Sequence, residues 1–201
     1  MDIIPKIMSP SYFAPISHWN KFHEGNIIWE INENFKKQSY RNRLNICGPN
    51  KILKLVIPIK HHKKAFKISE ALIDYSENWP KDHWKSIKFS YNSSPFYEYY
   101  KDELNFLYDS KPEKLIDFNF QSIKLVCKWL NIDFSLKKTK SFKKEYLGFK
   151  DLRNMSNKQY VDDFQVKKYI QVFSEKNGFI NNLSILDLLF NEGPNAINFL
   201  K

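Results

Sequence analysis

Apolar positions fall in short, separated runs over the first third of the chain and in longer helical stripes after it. Residues 3–8 are a short apolar run that predicts a first strand. Pro10 and Pro15 then bound a segment suited to neither a ladder nor a helix interior. Pro15 fits the first turn of a helix, and Ile16, Trp19 and Phe22 repeat at helical spacing up to Gly25, a natural stop. A second strand is predicted over 26–31. Residues 35–46 read as a strand or as an irregular extended run, and Gly48-Pro49-Asn50 as a turn. Residues 52–59 predict the clearest strand, with Leu53, Leu55, Ile57 and Ile59 on one face and Ile52 and Val56 on the other. Apolar on both faces, it is expected to be internal, with Pro58 ending it or marking a bulge. Residues 68–73 predict a further short strand.

Helical spacing takes over from there. Helices are predicted over 80–91, 95–108 and 112–130, the last with Leu115, Phe118, Ile123, Val126 and Leu130 as its stripe. Residues 132–140 predict an edge strand whose lysines blunt further pairing. Residues 141–158 read as loop and 164–173 as a short helix, before a turn at Asn177-Gly178. Ser184, with Asp187 three residues on, marks a helix start. The helix that follows is apolar nearly all round, so it is expected to be buried, and Gly193-Pro194 stops it. No repeat or linker interrupts residues 1–201. The pattern predicts one α/β domain, three-layer-like, with a small mixed or mostly parallel sheet in the N-terminal half and a helical C-terminal half.

Composition narrows the function classes. With 42% hydrophobic residues, 17 Phe and 11 Tyr, the chain can build a core and does not read as disordered. Its two cysteines, Cys47 and Cys127, have no metal-type spacing and make no disulfide scaffold. Charges interrupt every apolar run before the length of a membrane span. The N-terminus lacks a signal-peptide pattern, so the expected compartment is the cytoplasm. The net charge of +10 invites a nucleic-acid reading. However, the basic residues are nearly all Lys, in a chain rich in Asn, Ile, Phe and Tyr. AT-rich codons produce that composition without any anionic partner.

Against this background arginine stands out. The chain has three, Arg41, Arg43 and Arg153, and two of them flank Asn42. In an extended segment Arg41 and Arg43 would point the same way, roughly 6.5–7 Å apart at Cα. Two guanidinium forks at that spacing suit a phosphate or carboxylate. The competing reading is a structural pair on an edge strand. Concavity around both arginines would favour a ligand site; pairing to a carboxylate away from any pocket would favour a scaffold. Of the histidines, His18 and His23 diverge around their helix, and His61-His62 sits among lysines without carboxylates. His83, in the first turn of a helix, is the best base candidate, with Asp74 as its orienting carboxylate. There is no Gly-rich phosphate loop, no Gly-x-Ser-x-Gly elbow and no metal-ligand cluster, so no cofactor or metal is expected.

Several landmarks recur in order along nearly the whole chain. They are Ser11-Tyr12-Phe13-Ala14-Pro15, the Gln38 to Arg43 stretch, Leu55-Val56-Ile57-Pro58-Ile59, Trp79-Pro80-Lys81-Asp82-His83-Trp84, Ser93-Ser94-Pro95-Phe96-Tyr97, Tyr169-Ile170-Gln171-Val172-Phe173 and the apolar run from Leu183. Together they resemble the WbqC-like protein family, in a shorter variety. Longer members carry Gln-Pro where this chain has Ser9-Pro10, and an extra αβ unit after the position of Leu130-Asn131. The resemblance implies a bacterial source and a link to surface-polysaccharide (O-antigen) biosynthesis. The βα opening also faintly resembles nucleotidylyltransferases of the HIGH type, whose closely spaced histidines His18 and His23 do not match.

The resulting expectation is a cytoplasmic group-transfer enzyme acting on an activated anionic small molecule such as a nucleotide sugar. Arg41, Asn42, Arg43 and Arg153 would bind the anion, and His83 and Asp74 would be catalytic. Tyr12, Gln171 and Asp187 are further candidates. The alternatives are a non-catalytic binding or scaffold protein and, less favoured, a nucleic-acid-binding protein. The sequence leaves the oligomeric state open.

Overall fold

A computed structural model describes residues 4–160 and 164–201. The predicted first strand forms as β1 (Lys6–Met8), while Ile3 lies outside the described residues. β1 is the middle of a three-stranded sheet, flanked by β2 (Ile27–Trp29) and β5 (Lys150–Asp151), both parallel to it. Helix α1 (Ile16–His23) links β1 to β2 and ends before Gly25, whose φ of 78° is a conformation glycine adopts without strain. Lys6, buried in β1, has its ammonium 2.8 Å from Glu24.

β3 (Arg43–Gly48) and β4 (Lys51–Val56) form a separate antiparallel hairpin around Pro49-Asn50. This corrects the expectation of an internal strand at 52–59. β4 pairs on one edge only, leaving Lys51, Ile52 and Lys54 exposed while Leu55 faces the core. An internal position would have buried Lys51 and Lys54 without partners.

The helical part comprises α2 (Trp79–Tyr91), α3 (Tyr97–Asp109), α4 (Leu115–Leu130), α5 (Ser174–Asn177) and α6 (Ile185–Glu192). α4 ends where Asn131 turns left-handed (φ 52°) and the Ile132 amide donates to the Cys127 carbonyl at 2.9 Å. Ser184 caps α6 as expected, accepting from the Leu186 amide at 3.3 Å, and Ile185 through Phe190 are all buried. Backbone bonds tie this start to the proline turn before α1: Ile16 N to Leu183 O at 3.0 Å and Ile185 N to Ala14 O at 3.0 Å. The two ends of the chain thus share one continuous core.

Four local expectations change. Residues 68–73 hold a 3-10 turn (Ile68–Glu70) and two isolated antiparallel bridges, Ile59 to Ile73 and Leu72 to Lys114. The edge strand at 132–140 reduces to an extended run with one parallel bridge, Trp29 to Lys138. Residues 141–158 contain β5 and a 3-10 turn, Arg153–Ser156. Residues 164–171 hold no helix or strand, 172–173 turn, and the helical turn follows as α5. The side-chain amide of Gln171 accepts from Ile180 N (2.8 Å) and donates to Ile180 O (3.0 Å), tying this segment to the chain beyond α5. Among the described residues no helix is long and apolar enough to cross a membrane.

Candidate anion-binding site

The C-terminal ends of the parallel strands, where α/β sheets commonly bind ligands, hold a cluster of polar groups. Ser9 follows β1, Glu30 and Glu33 follow β2, and Arg153 follows β5. Arg41 packs into this cluster with no exposed surface. Its Nε and Nη2 donate to Glu33 Oε1 (3.1 and 2.6 Å), Nη2 also to Ser9 Oγ (3.1 Å) and Nη1 to Asn157 Oδ1 (3.3 Å). Ser9 Oγ donates to the same carboxylate oxygen. Every nitrogen of the Arg41 guanidinium is therefore engaged inside the fold. Burial, then the nearby Arg41 charge, drives the imidazole of His18 down to about 3.

The twin-fork expectation therefore fails for a local reason. Residues 40–42 form a turn, held by Tyr40 N to Ser156 O (2.8 Å) and Tyr12 N to Tyr40 O (2.9 Å). The strand begins only at Arg43. Alternation does not operate across the turn, and the two arginines part company: Arg41 enters the interior and Arg43 lines a cleft.

That cleft, about 300 Å³, runs between the 35–43 segment and the 56–66 segment. Three of its residues carry buried polar atoms with no hydrogen-bond partner among the described residues: Asn42 Oδ1, Arg43 Nε and His62 Nε2. Asn42 is only 7% exposed, and its Nδ2 is already committed to the Ile57 carbonyl at 2.9 Å. Polar groups buried in this way ordinarily have partners, and here three belong to residues lining one concavity. Lys37 and Lys60 add positive charge around it, beside the His61 imidazole. A second cleft of about 500 Å³ adjoins it, lined by Lys36, Ser39, Asn157 and Lys158. Lys37 and Gln38 belong to both. A dipolar or anionic ligand would find donors, one acceptor and several cations along this shared wall.

The other predicted residues lie elsewhere. His83 is 5% exposed in the core, with Nδ1 2.9 Å from the Tyr12 hydroxyl, which in turn meets Tyr108 OH at 2.5 Å. Burial lowers the His83 pKa to about 4. Asp74 does not orient it; its carboxylate accepts from Ser76 N at 2.9 Å, which lowers its own pKa. Arg153 is clamped on Asp151 through Nε (2.9 and 3.0 Å) and on the carbonyls of Lys143 and Lys144 (both 2.9 Å), between the rings of Phe142 and Tyr146. It pins the loop before β5 and lines neither of the two clefts. Asp187 and Gln171 do come together, at 2.9 Å, in a sealed cage with Tyr91 (2.7 Å) and Tyr169 (2.5 Å). Burial raises the Asp187 pKa despite these three hydrogen bonds.

Sequence reasoning overlooked Glu33, Lys37 and Lys158, and set His62 aside as part of a lysine-rich loop. Glu33 was findable: a scarce arginine next to an acid-bearing strand end invites a buried pair. His62 had no sequence signal, since only the fold folds its ring onto Phe66 (3.7 Å between centroids). Among the described residues no group of three or more His, Cys, Asp or Glu is placed to hold a metal ion. An apolar groove of about 710 Å³ between α3 and α4 lacks convergent polar groups, and its Glu103 and Lys128 pair with each other.

The chain is similar to one relative of nearly its own length, the uncharacterized protein Rv1507c of Mycobacterium tuberculosis (strain ATCC 25618 / H37Rv). The two are 25% identical over 217 residues, spanning 94% of this chain and 91% of that protein. No solved structure matches. The pattern of one family matches residues 10–160 and 144–199, which include the Ser9–Arg41 side of the cluster from Pro10 onward and the whole of both clefts. On that match the chain belongs to the WbqC-like protein family.

Proposed function

We propose that the protein is a group-transfer enzyme for an activated anionic small molecule, with a nucleotide sugar as the ligand to try first, bound along the wall formed by residues 36–43. The observation that carries this reading is that Asn42 Oδ1, Arg43 Nε and His62 Nε2, each buried and unpartnered among the described residues, belong to residues lining one cationic cleft. Arg43 serves the ligand, while Arg41, locked on Glu33, holds the wall in shape. The setting that goes with this reading is the bacterial cytoplasm and the building of surface polysaccharide.

In such a transfer the acceptor's lone pair forms the new bond as the bond to a phosphate oxygen breaks, and the electron pair leaves on that oxygen. Lys36, Lys37 and Lys158 oppose the charge that develops there. His61, the exposed imidazole lining the same cleft as Arg43, is placed to accept the acceptor's proton, in place of the buried His83. The Arg41–Glu33 pair supports the scaffold reading for its own half of the motif, so the site reading stands on Arg43.

The test is a thermal-shift screen of nucleotide sugars, sugar phosphates and dicarboxylates, followed by assay of the hits for release of the leaving phosphate compound. A ligand at 100 times its dissociation constant adds about 2.7 kcal/mol of stability. Stabilisation by a phosphorylated compound, lost in Arg43→Ala, is the expected result. If every anion leaves both proteins unshifted, the reading is wrong.

A further inference from the structure

The two adjoining clefts differ in chemistry. In the smaller, apolar surface dominates. Phe35 and Phe66 lie nearly parallel there, with centroids 5.3 Å apart and planes at 20°, and the His62 ring continues the stack on Phe66 at 3.7 Å and 19°. At one side of this ledge stand an unsatisfied acceptor, Asn42 Oδ1, and an unsatisfied donor, Arg43 Nε. The larger cleft has no aromatic lining; Lys36, Lys37 and Lys158 are its charged residues.

From this division we infer that the ligand is a nucleoside diphosphate derivative held in one orientation, an inference that rests on the anionic-ligand reading above. The base adds to one end of the Phe35–Phe66–His62 stack, which Phe66 holds together from the middle. Stacking on such a face tolerates any base. Asn42 Oδ1 accepts an N–H of the base edge, and Arg43 Nε donates to a carbonyl or ring nitrogen beside it. The diphosphate crosses the wall shared at Lys37 and Gln38 and is neutralised by the three lysines. A bare anion would leave Asn42 Oδ1 unsatisfied, because an acceptor gains nothing from a phosphate oxygen. An uncharged nucleoside would leave the lysine cleft without a counter-charge. The nucleotide meets both needs.

The experiment titrates the full chain, by calorimetry, with uridine diphosphate, adenosine diphosphate and inorganic pyrophosphate. Either nucleotide should bind about tenfold or more tighter than pyrophosphate, the increment that stacking supplies. Phe66→Leu, which keeps an apolar side chain but removes the ring, should erase that difference and leave pyrophosphate binding unchanged. Lys158→Ala, at the exposed rim, should weaken all three. Saturation-transfer NMR on the unaltered protein gives a check free of any folding defect, with the base protons expected to receive the strongest transfer. Equal affinities for pyrophosphate and nucleotides, or saturation confined to the ribose, would overturn the ledge assignment while leaving an anion site. Absence of binding by all three would overturn the anionic-ligand reading with it.

Discussion

Arg41→Ala distinguishes a structural arginine from a ligand-binding one. The change removes two hydrogen bonds to Glu33 Oε1 (2.6 and 3.1 Å), one to Ser9 Oγ (3.1 Å) and one to Asn157 Oδ1 (3.3 Å). It leaves the Glu33 carboxylate buried with only Ser9 for company. Breaking a buried pair from one side typically costs about 3–5 kcal/mol, because the remaining charge is stranded. In a domain of this size each kcal/mol moves the melting temperature by about 2–4 °C, so Arg41→Ala should melt roughly 6–20 °C lower. Replacing both partners, as Glu33→Gln with Arg41→Met, removes the stranded charge and should recover much of the loss. Differential scanning calorimetry of the single and double variants measures this. Should Arg41→Ala melt like the unaltered protein and instead lose anion binding, the assignment of Arg41 to the frame is refuted.

Acid sensitivity should come from two buried histidines. The pKa of His83 is lowered to about 4 and that of His18 to about 3, each mainly by burial. The unfolded chain takes up these protons near 6.5 and the native state does not. Stability is therefore full above about 6.5 and falls as pH drops toward 4, by at most about 2.7 kcal/mol per pH unit. Urea denaturation at successive pH values should show this, and His83→Gln should flatten the slope. Asp187 works in the opposite sense. Its raised pKa favours the protonated native form, so its contribution declines as pH rises above the ordinary 3.8. The stability gap between the unaltered protein and Asp187→Asn should accordingly shift with pH in the variant's favour; a gap independent of pH would contradict it. Arg153→Ala frees the carbonyls of Lys143 and Lys144, so trypsin should cut there faster while anion binding stays unchanged.

How far the sequence disclosed this fold depended on whether local rules decided each element. α1, α2, α4 and α6 followed their stripes and caps because Pro15, Pro80, Asn131 and Ser184 impose their conformations locally. β5 was illegible: two residues, Lys150 and Asp151, are exposed and become a strand only by pairing with β1. The 164–173 segment was misread because Val166 and Tyr169 repeat at helical spacing, while the Gln171 side chain holds the segment to the backbone of Ile180 through long-range bonds that no local pattern announces.

The candidate site was half legible. Arginine scarcity drew attention to the stretch that walls both clefts. The inference that Arg41 and Arg43 share a face assumed an extended backbone, and the turn at 40–42 removed that premise. Nothing local in the sequence marks His62, Phe66 and Asn42 as neighbours, since their meeting depends on how the chain returns after β4.

The central claim is that Arg43, with Asn42 and His62, binds an anionic small molecule. Mass spectrometry of small molecules released from natively purified protein tests it most directly, with Arg43→Ala purified in parallel and shown to be folded. The account predicts a phosphorylated compound released from the unaltered protein and missing from the variant. Recovery of no anionic compound from either protein, or of the same one in equal amount from both, would contradict it.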